Sequence, residues 1–263
     1  MTQISSFLKF PTHDNFELCH CFFYSLSDPV DPQYIATVLD SVVSVFYANL
    51  DSTIITKKPV LVFNSLFKNP PSDTPEILQT NNVSLIFLHT HYSYWCQYSY
   101  QFAHELCHHV IDTKWPPICD RFGWLEETLC ELASLLTLYK MNIVWQTHTT
   151  YQNMLPFNSL KEYADNESTK VCKYTNTFSE WLSNNLEKFY NNRSDRVMNR
   201  TVAIKLLPLF KKYPILWRTI HFLKDIPVTD DMTLCQYLFA WKERMPKDLH
   251  FYFENIIELL NCN

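Results

Sequence analysis

The chain has 263 residues, of which 47% are hydrophobic and 19% charged, and a formal net charge of −5. A chain of this length can bury roughly three quarters of the surface it exposes when unfolded, so a core without disulfides is feasible and extensive disorder is excluded. The negative balance, with no basic stripe, argues against a nucleic-acid partner.

In chain order, residues 16 to 25 are rich in Phe, Cys and Tyr and predict a first strand. Asp31-Pro32 reads as an N-cap followed by proline at the first helical position. Ile35, Val38, Leu39, Val42, Val43 and Phe46 then recur at helical spacing, which predicts a helix to about Leu50. Val60 to Phe63 is a short strand, Asn69 to Pro75 a loop by composition, and Val83 to Thr90 the strongest strand pattern. A helix from about Tyr98 to Asp112 follows, stopped by Trp115-Pro116-Pro117. Gly123 marks a turn before a second helix from Trp124 to Met141. Beyond Asn158 the pattern is helical, broken by prolines 208, 214, 227 and 246. The clearest segments are Phe178 to Tyr190, Val202 to Phe210, Pro214 to Lys224, Thr233 to Arg244 and Leu249 to Leu260.

The lone glycine argues against a multi-hairpin β protein, because primed turns need residues at positive φ. The expected class is α+β. An α/β portion over residues 1–150 carries the catalytic centre and a helical portion covers 151–263, either as two units or as one continuous domain. The first nine residues lack a basic start and a long apolar stretch, so no secretory signal is expected. No apolar run approaches the ~18 residues of a membrane span, and a cytoplasmic location without a membrane partner is expected. Nine cysteines (19, 21, 96, 107, 119, 130, 172, 235 and 262) are irregularly spaced and are expected to be reduced, mostly buried thiols. Asn82, Asn166, Asn192 and Asn199 begin glycosylation patterns that arise easily by chance in an Asn-rich chain.

The most informative segment is His104-Glu105-Leu106-Cys107-His108, separated by residues 109 to 126 from Glu127 in the run Trp124-Leu125-Glu126-Glu127. Histidines at i and i+4 share one helix face and can grip one metal ion. A carboxylate from a second helix completes three protein ligands with one position left open, the arrangement of a catalytic zinc. His104, His108 and Glu127 are therefore the expected zinc ligands. Glu105 stands beside them as the expected general base on a zinc-bound water, and a peptide or protein is the expected substrate.

This combination resembles the gluzincin metallopeptidases, the class that includes thermolysin and aminopeptidase N. The resemblance covers about residues 83 to 141. It implies that Glu127, not Glu126, is the third ligand, and that Glu131, four positions on, orients His104. It also implies a downstream Tyr or His that stabilises the oxyanion, and Tyr151, Tyr163, Tyr174, Tyr190 and His221 are all eligible. Thr128 replaces the Gly common in aminopeptidases and no Gly-Ala-Met-Glu-Asn-like motif lies upstream, so endo- and exopeptidase action stay open.

Val83 to Thr90 is either an exposed edge strand that pairs with a substrate backbone or a central strand with both edges occupied. His109 is expected to point away from the ligands, and Cys107 to be a buried thiol. His89 and His91 share a strand face, Cys19 and Cys21 flank His20 as core, and Tyr92, Tyr94, Trp95, Tyr98 and Tyr100 form a core or cleft wall. Two alternatives accompany the peptidase reading. One is a narrow-specificity regulatory peptidase similar to the IrrE/ImmA group, on the residues from Phe102 to His109 and Glu127 to Leu136. The other is a non-catalytic interaction protein whose zinc site is closed by Cys107 or Cys130.

Overall fold

The computed structural model describes residues 7–19, 30–52, 54–55, 57–65, 72–90, 93–112, 121–148, 151, 154 and 158–262. Residues 20 to 25 of the expected first strand, Asn69-Pro70-Pro71 and the Trp115-Pro116-Pro117 helix stop lie outside them. So do His20, Cys21, His91, Tyr92 and Cys119.

The fold is α+β: a small mixed sheet near the N-terminus and a helical remainder. Strands β1 (Phe7–Lys9), β2 (Phe16–Cys19), β3 (Val60–Asn64), β4 (Glu76–Gln79) and β5 (Ser84–Leu88) lie in the order β1-β2-β3-β5-β4. The two outer pairings are antiparallel and the two inner ones parallel. Side chains of β3 and β5 alternate between buried and half-buried. One face, carrying Val60, Val62, Ile86 and Leu88, therefore packs into the core.

The edge-strand alternative for Val83 to Thr90 does not hold. β5 is flanked by β3 and by β4, and β4 is the edge. The short β4 escapes a sequence reading because Glu76-Ile77-Leu78-Gln79 is too brief to show a period.

Helix α1 (Pro32–Tyr47) starts as expected, with Asp31 accepting a hydrogen bond from the Gln33 N–H at 2.9 Å. Its six periodic apolar positions are all buried. Helix α2 (Trp95–Ile111) is stitched to the sheet by amide side chains. Gln101 accepts from the His89 N–H and donates to the His89 carbonyl, both at 2.9 Å. Gln79 at the end of β4 donates to the His108 carbonyl at 2.7 Å. Asp112, at φ 52°, then ends α2, and its N–H returns to the His108 carbonyl. Among the described residues positive φ falls on Asp112, Asn158 and Asn261, while the one glycine, Gly123, is simply the first residue of helix α3 (Gly123–Thr147).

The helical part contains α4 (Ser159–Ser168), α5 (Phe178–Asn191), α6 (Arg196–Lys212), a 3-10 helix over Pro214–Asp225, α7 (Leu234–Arg244) and α8 (Lys247–Leu259). Helix α4 falls in the stretch after Asn158 that reads as helical, though outside its clearest segments. Thr177 with Glu180, and Thr233 with Gln236, form capping boxes at the starts of α5 and α7. Pro208, named as a break yet inside the predicted segment Val202 to Phe210, does not interrupt α6. Proline removes one N–H from the ladder, and buried Leu206, Leu207 and Phe210 around it anchor the helix regardless.

One apolar cluster runs from Phe10 to Cys262 through both portions. Among the described residues no helix is long and apolar enough to cross a membrane. The expectation of reduced thiols fails for one pair. Cys235 at the start of α7 and Cys262 after α8 form a disulfide, with Cα atoms 4.9 Å apart. Linear spacing carries no trace of this bridge, because the packing of α7 and α8 brings the two residues together. Cys107 and Cys130 are buried free thiols, Cys96 and Cys172 are half-buried free thiols, and Cys19 is buried in the core.

Candidate metal centre

Helices α2 and α3 pack against each other and present the motif residues to one cleft. His104 and His108, one turn apart on α2, have ring centroids 5.2 Å apart. Glu127, in the first turn of α3, brings its Oε2 to 3.2 Å from His104 Nε2 and 3.6 Å from His108 Nε2. The three expected ligands therefore meet. Two imidazole nitrogens and a carboxylate oxygen are donors that a divalent metal accepts. A second grouping overlaps the first: one ligand atom each of His104, His108 and Cys130 lie within 4.8 Å of one another. Glu105 is buried and lines the same cleft.

The electrostatics follow from packing carboxylates and imidazoles together out of water. Burial opposes ionisation of Glu127, but His108 and His104 overcome it and hold its pKa well below the usual carboxylate range. Burial likewise opposes a charged His108, and Glu127 and Glu126 overcome that, holding its pKa well above an ordinary imidazole. Glu105 is pushed up by burial, against the pull of the two histidines.

Glu126 and Glu131 divide the supporting roles differently from the expectation. Glu126 Oε1 lies 2.7 Å from His108 Nδ1, which leaves Nε2 of that ring for the cleft. Glu131 Oε1 lies 3.9 Å from His104 Nδ1, a nitrogen that is buried without a hydrogen-bond partner. The Glu131 carboxylate accepts instead from the Tyr100 hydroxyl, from Arg196 Nε at 3.0 Å and from Arg200 Nε at 3.0 Å. Arg200 also reaches Glu167 on α4 at 3.3 Å. Residues of α2, α3, α4 and α6 thus converge behind His104. A lone Tyr or Arg far along the chain carries no local sign of such a network.

The cleft has a volume of about 580 Å³. One wall is β4 with Thr74 and Pro75, the floor holds His104, Glu105, His108, Glu126 and Glu127, and the far side is Arg193, Ser194 and Arg196. Arg193 Nη2 donates to Glu127 Oε1 at 3.1 Å. None of the five residues eligible to stabilise an oxyanion lines the cleft among the described residues. Tyr151 stacks on Trp145, Tyr163 meets the Tyr100 ring edge-on, and Tyr174 stacks on Trp181. Tyr190 lies under Arg121, and His221 Nδ1 faces the Val110 carbonyl at 3.3 Å.

His109 points away from the centre, as expected. Its Nδ1 pairs with the Ser84 hydroxyl at 2.9 Å, and burial, helped by Lys58, drives its pKa down to about 3. His89 pairs with the Ser65 hydroxyl at 3.0 Å. Trp95, Tyr98 and Tyr100 are core residues, whereas Tyr94 is exposed.

Comparisons of the chain with protein-family models, with curated proteins and with solved structures return no match.

Proposed function

We propose that this protein is a zinc-dependent hydrolase of peptide bonds, of the kind the gluzincin resemblance implies. The observation that carries the reading is the approach of His104 Nε2, His108 Nε2 and Glu127 Oε2 to within 3.2 and 3.6 Å, in a cleft that also holds Glu105. His104, His108 and Glu127 would hold the ion, and Glu126 would fix the His108 ring so that Nε2 faces it. Zinc, when bound, polarises a carbonyl and lowers the pKa of water to around 7. Glu105 takes a proton from the attacking water and returns it to the leaving amine nitrogen, so that one water is consumed and two peptide fragments leave. Strand β4, outermost on that side of the sheet among the described residues, borders the cleft and would pair with an extended peptide through backbone groups, independent of its side chains.

The test is zinc content together with cleavage of a quenched-fluorescence peptide library, for wild type and Glu105→Gln. About one zinc per chain in both, with cleavage lost only in the variant, is the expected result. No zinc in either protein sinks the proposal. Zinc without cleavage in either leaves two courses. Cleavage of a single partner protein would mark a narrow regulatory peptidase. A second reading is favoured by the grouping of Cys130 with the two histidines: a non-catalytic site closed by a sulfur ligand. Cobalt substitution separates these, since a thiolate ligand adds an intense near-ultraviolet charge-transfer band that Cys130→Ser abolishes.

A further inference from the structure

We infer that the cleft selects peptides carrying a carboxylate near the cleaved bond, an acidic side chain or a free C-terminus, and that Arg196 binds it. The inference rests on the hydrolase reading above. Selecting a carboxylate takes a cation that is fixed in place, open to the ligand and not fully engaged by other partners. Arg196 lines the same cleft as His104, His108 and Glu127. Of the five N–H donors of a guanidinium, only the one on Nε has a partner among the described residues: it donates to Glu131 Oε1 at 3.0 Å. The two terminal nitrogens form the fork that matches the two oxygens of a carboxylate. The Arg196 side chain is 48% exposed, whereas that of Glu131 is 1% exposed. The guanidinium is thus anchored at its buried edge. Burial pushes the pKa of Glu105 up, and Arg196 is one of the cations that oppose it, so its charge reaches the cleft floor.

The network behind Arg196 leaves its charge uncompensated. Glu131 accepts from Arg196 and from Arg200, each through Nε at 3.0 Å. Arg200 also reaches Glu167, which pairs with Lys170. Two carboxylates thus face three cations, and Glu131 alone cannot neutralise both of its arginines. Arg200 is buried, so Arg196 is the one of the two placed to take up another anion. The glutamates of the floor do not fill that place, because Glu126 faces His108 Nδ1 and Glu127 faces both Nε2 atoms. Arg196 is also the first residue of α6, which Asp195 caps by accepting from the Met198 N–H at 3.1 Å, so its backbone is fixed. A carboxylate held here gives a peptide a second point of attachment besides its carbonyl at the metal, and two points set its orientation.

The experiment uses the zinc-loaded full chain carrying Glu105→Gln, which leaves peptides intact, and reads binding by calorimetry. The probes are amidated Ala/Leu hexapeptides with one Glu walked along the sequence, the same peptides with Gln in its place, and the Gln peptides with a free C-terminus. At least one Glu or free-end peptide is expected to bind at least about tenfold more tightly than its amidated Gln counterpart. A gain from Glu identifies an acidic side chain as the ligand, and a gain from the free end identifies the C-terminus. Adding Arg196→Met is expected to keep about one zinc per chain and to remove that gain, with Arg196→Lys between the two. Equal affinities for all peptides, or a gain that survives Arg196→Met, overturns the inference. Loss of zinc from both Arg196 variants also overturns it, because Arg196 would then serve only to hold Glu131 behind His104. Failure of wild type and Glu105→Gln to bind zinc overturns the hydrolase reading itself, and this inference with it.

Discussion

Glu126 Oε1 lies 2.7 Å from His108 Nδ1, while the next residue, Glu127, faces Nε2 of the same ring. Adjacent carboxylates on the first turn of α3 thus address opposite edges of one imidazole. The Glu126 contact fixes the rotation of the His108 ring, so Nε2 faces the cleft. Replacing Glu126 by Ala is expected to weaken zinc binding about 10–100-fold, with Glu126→Gln, which keeps an acceptor oxygen, losing less. Competition against a chromophoric chelator measures this, and equal affinities for all three proteins would remove Glu126 from the site.

The Tyr100–Glu131–Arg200 network is buried, with Arg200 6% and Glu131 1% exposed at the side chain. Arg200→Met leaves Glu131 with one cation fewer and is expected to cost about 3–5 kcal/mol of stability. Removing both partners, as Glu131→Gln with Arg200→Met, is expected to cost less than the sum of the single changes. Urea unfolding of the four proteins of this cycle reads the coupling, and strict additivity would contradict it.

The Cys235–Cys262 disulfide links residues 27 apart in sequence. On loop-closure entropy such a link stabilises by about 3–4 kcal/mol. Cys262→Ser is therefore expected to lower the melting temperature by several degrees, and a reductant to lower that of wild type but not of the variant. An intact-mass measurement after thiol alkylation, with and without reduction, reports the bridge directly.

Asp40 joins the middle of α1 to the β1–β2 turn, accepting from the Thr12 hydroxyl at 2.7 Å and lying 2.8 Å from His13 Nδ1. Burial opposes the ionised form, but His13 and Thr12 outweigh it and the pKa falls below 3.8. A lowered carboxylate contributes stability that is fully present above its unfolded value and is lost as pH falls through its folded value. The loss therefore belongs below pH 3.8. Asp40→Asn is expected to be less stable than wild type at neutral pH and to show a shallower decline there. Denaturant midpoints from pH 6 down to pH 2 would show it, and parallel curves would rule it out.

Local rules were enough wherever neighbours in sequence are neighbours in space. His104 and His108 share a face because helical geometry puts i and i+4 together, and Asp31-Pro32 and Thr233 marked helix starts because caps act within three residues. The approach of Glu127 to both histidines was an expectation from spacing and motif, and the packing of α2 on α3 realises it. Everything that depends on distant partners had to come from the tertiary structure. Which strand is the edge follows from β4 pairing outside β5, and pairing order leaves no mark on a strand's own residues. Tyr100, Glu131 and Arg200 find one another across 100 positions of chain, and Arg193 reaches Glu127 across 66. An isolated Arg or Tyr looks the same in sequence whether it faces solvent or a buried carboxylate. Helical periodicity and capping therefore determined the elements and the pairing of His104 with His108 on one face, and long-range packing alone decided what surrounds them.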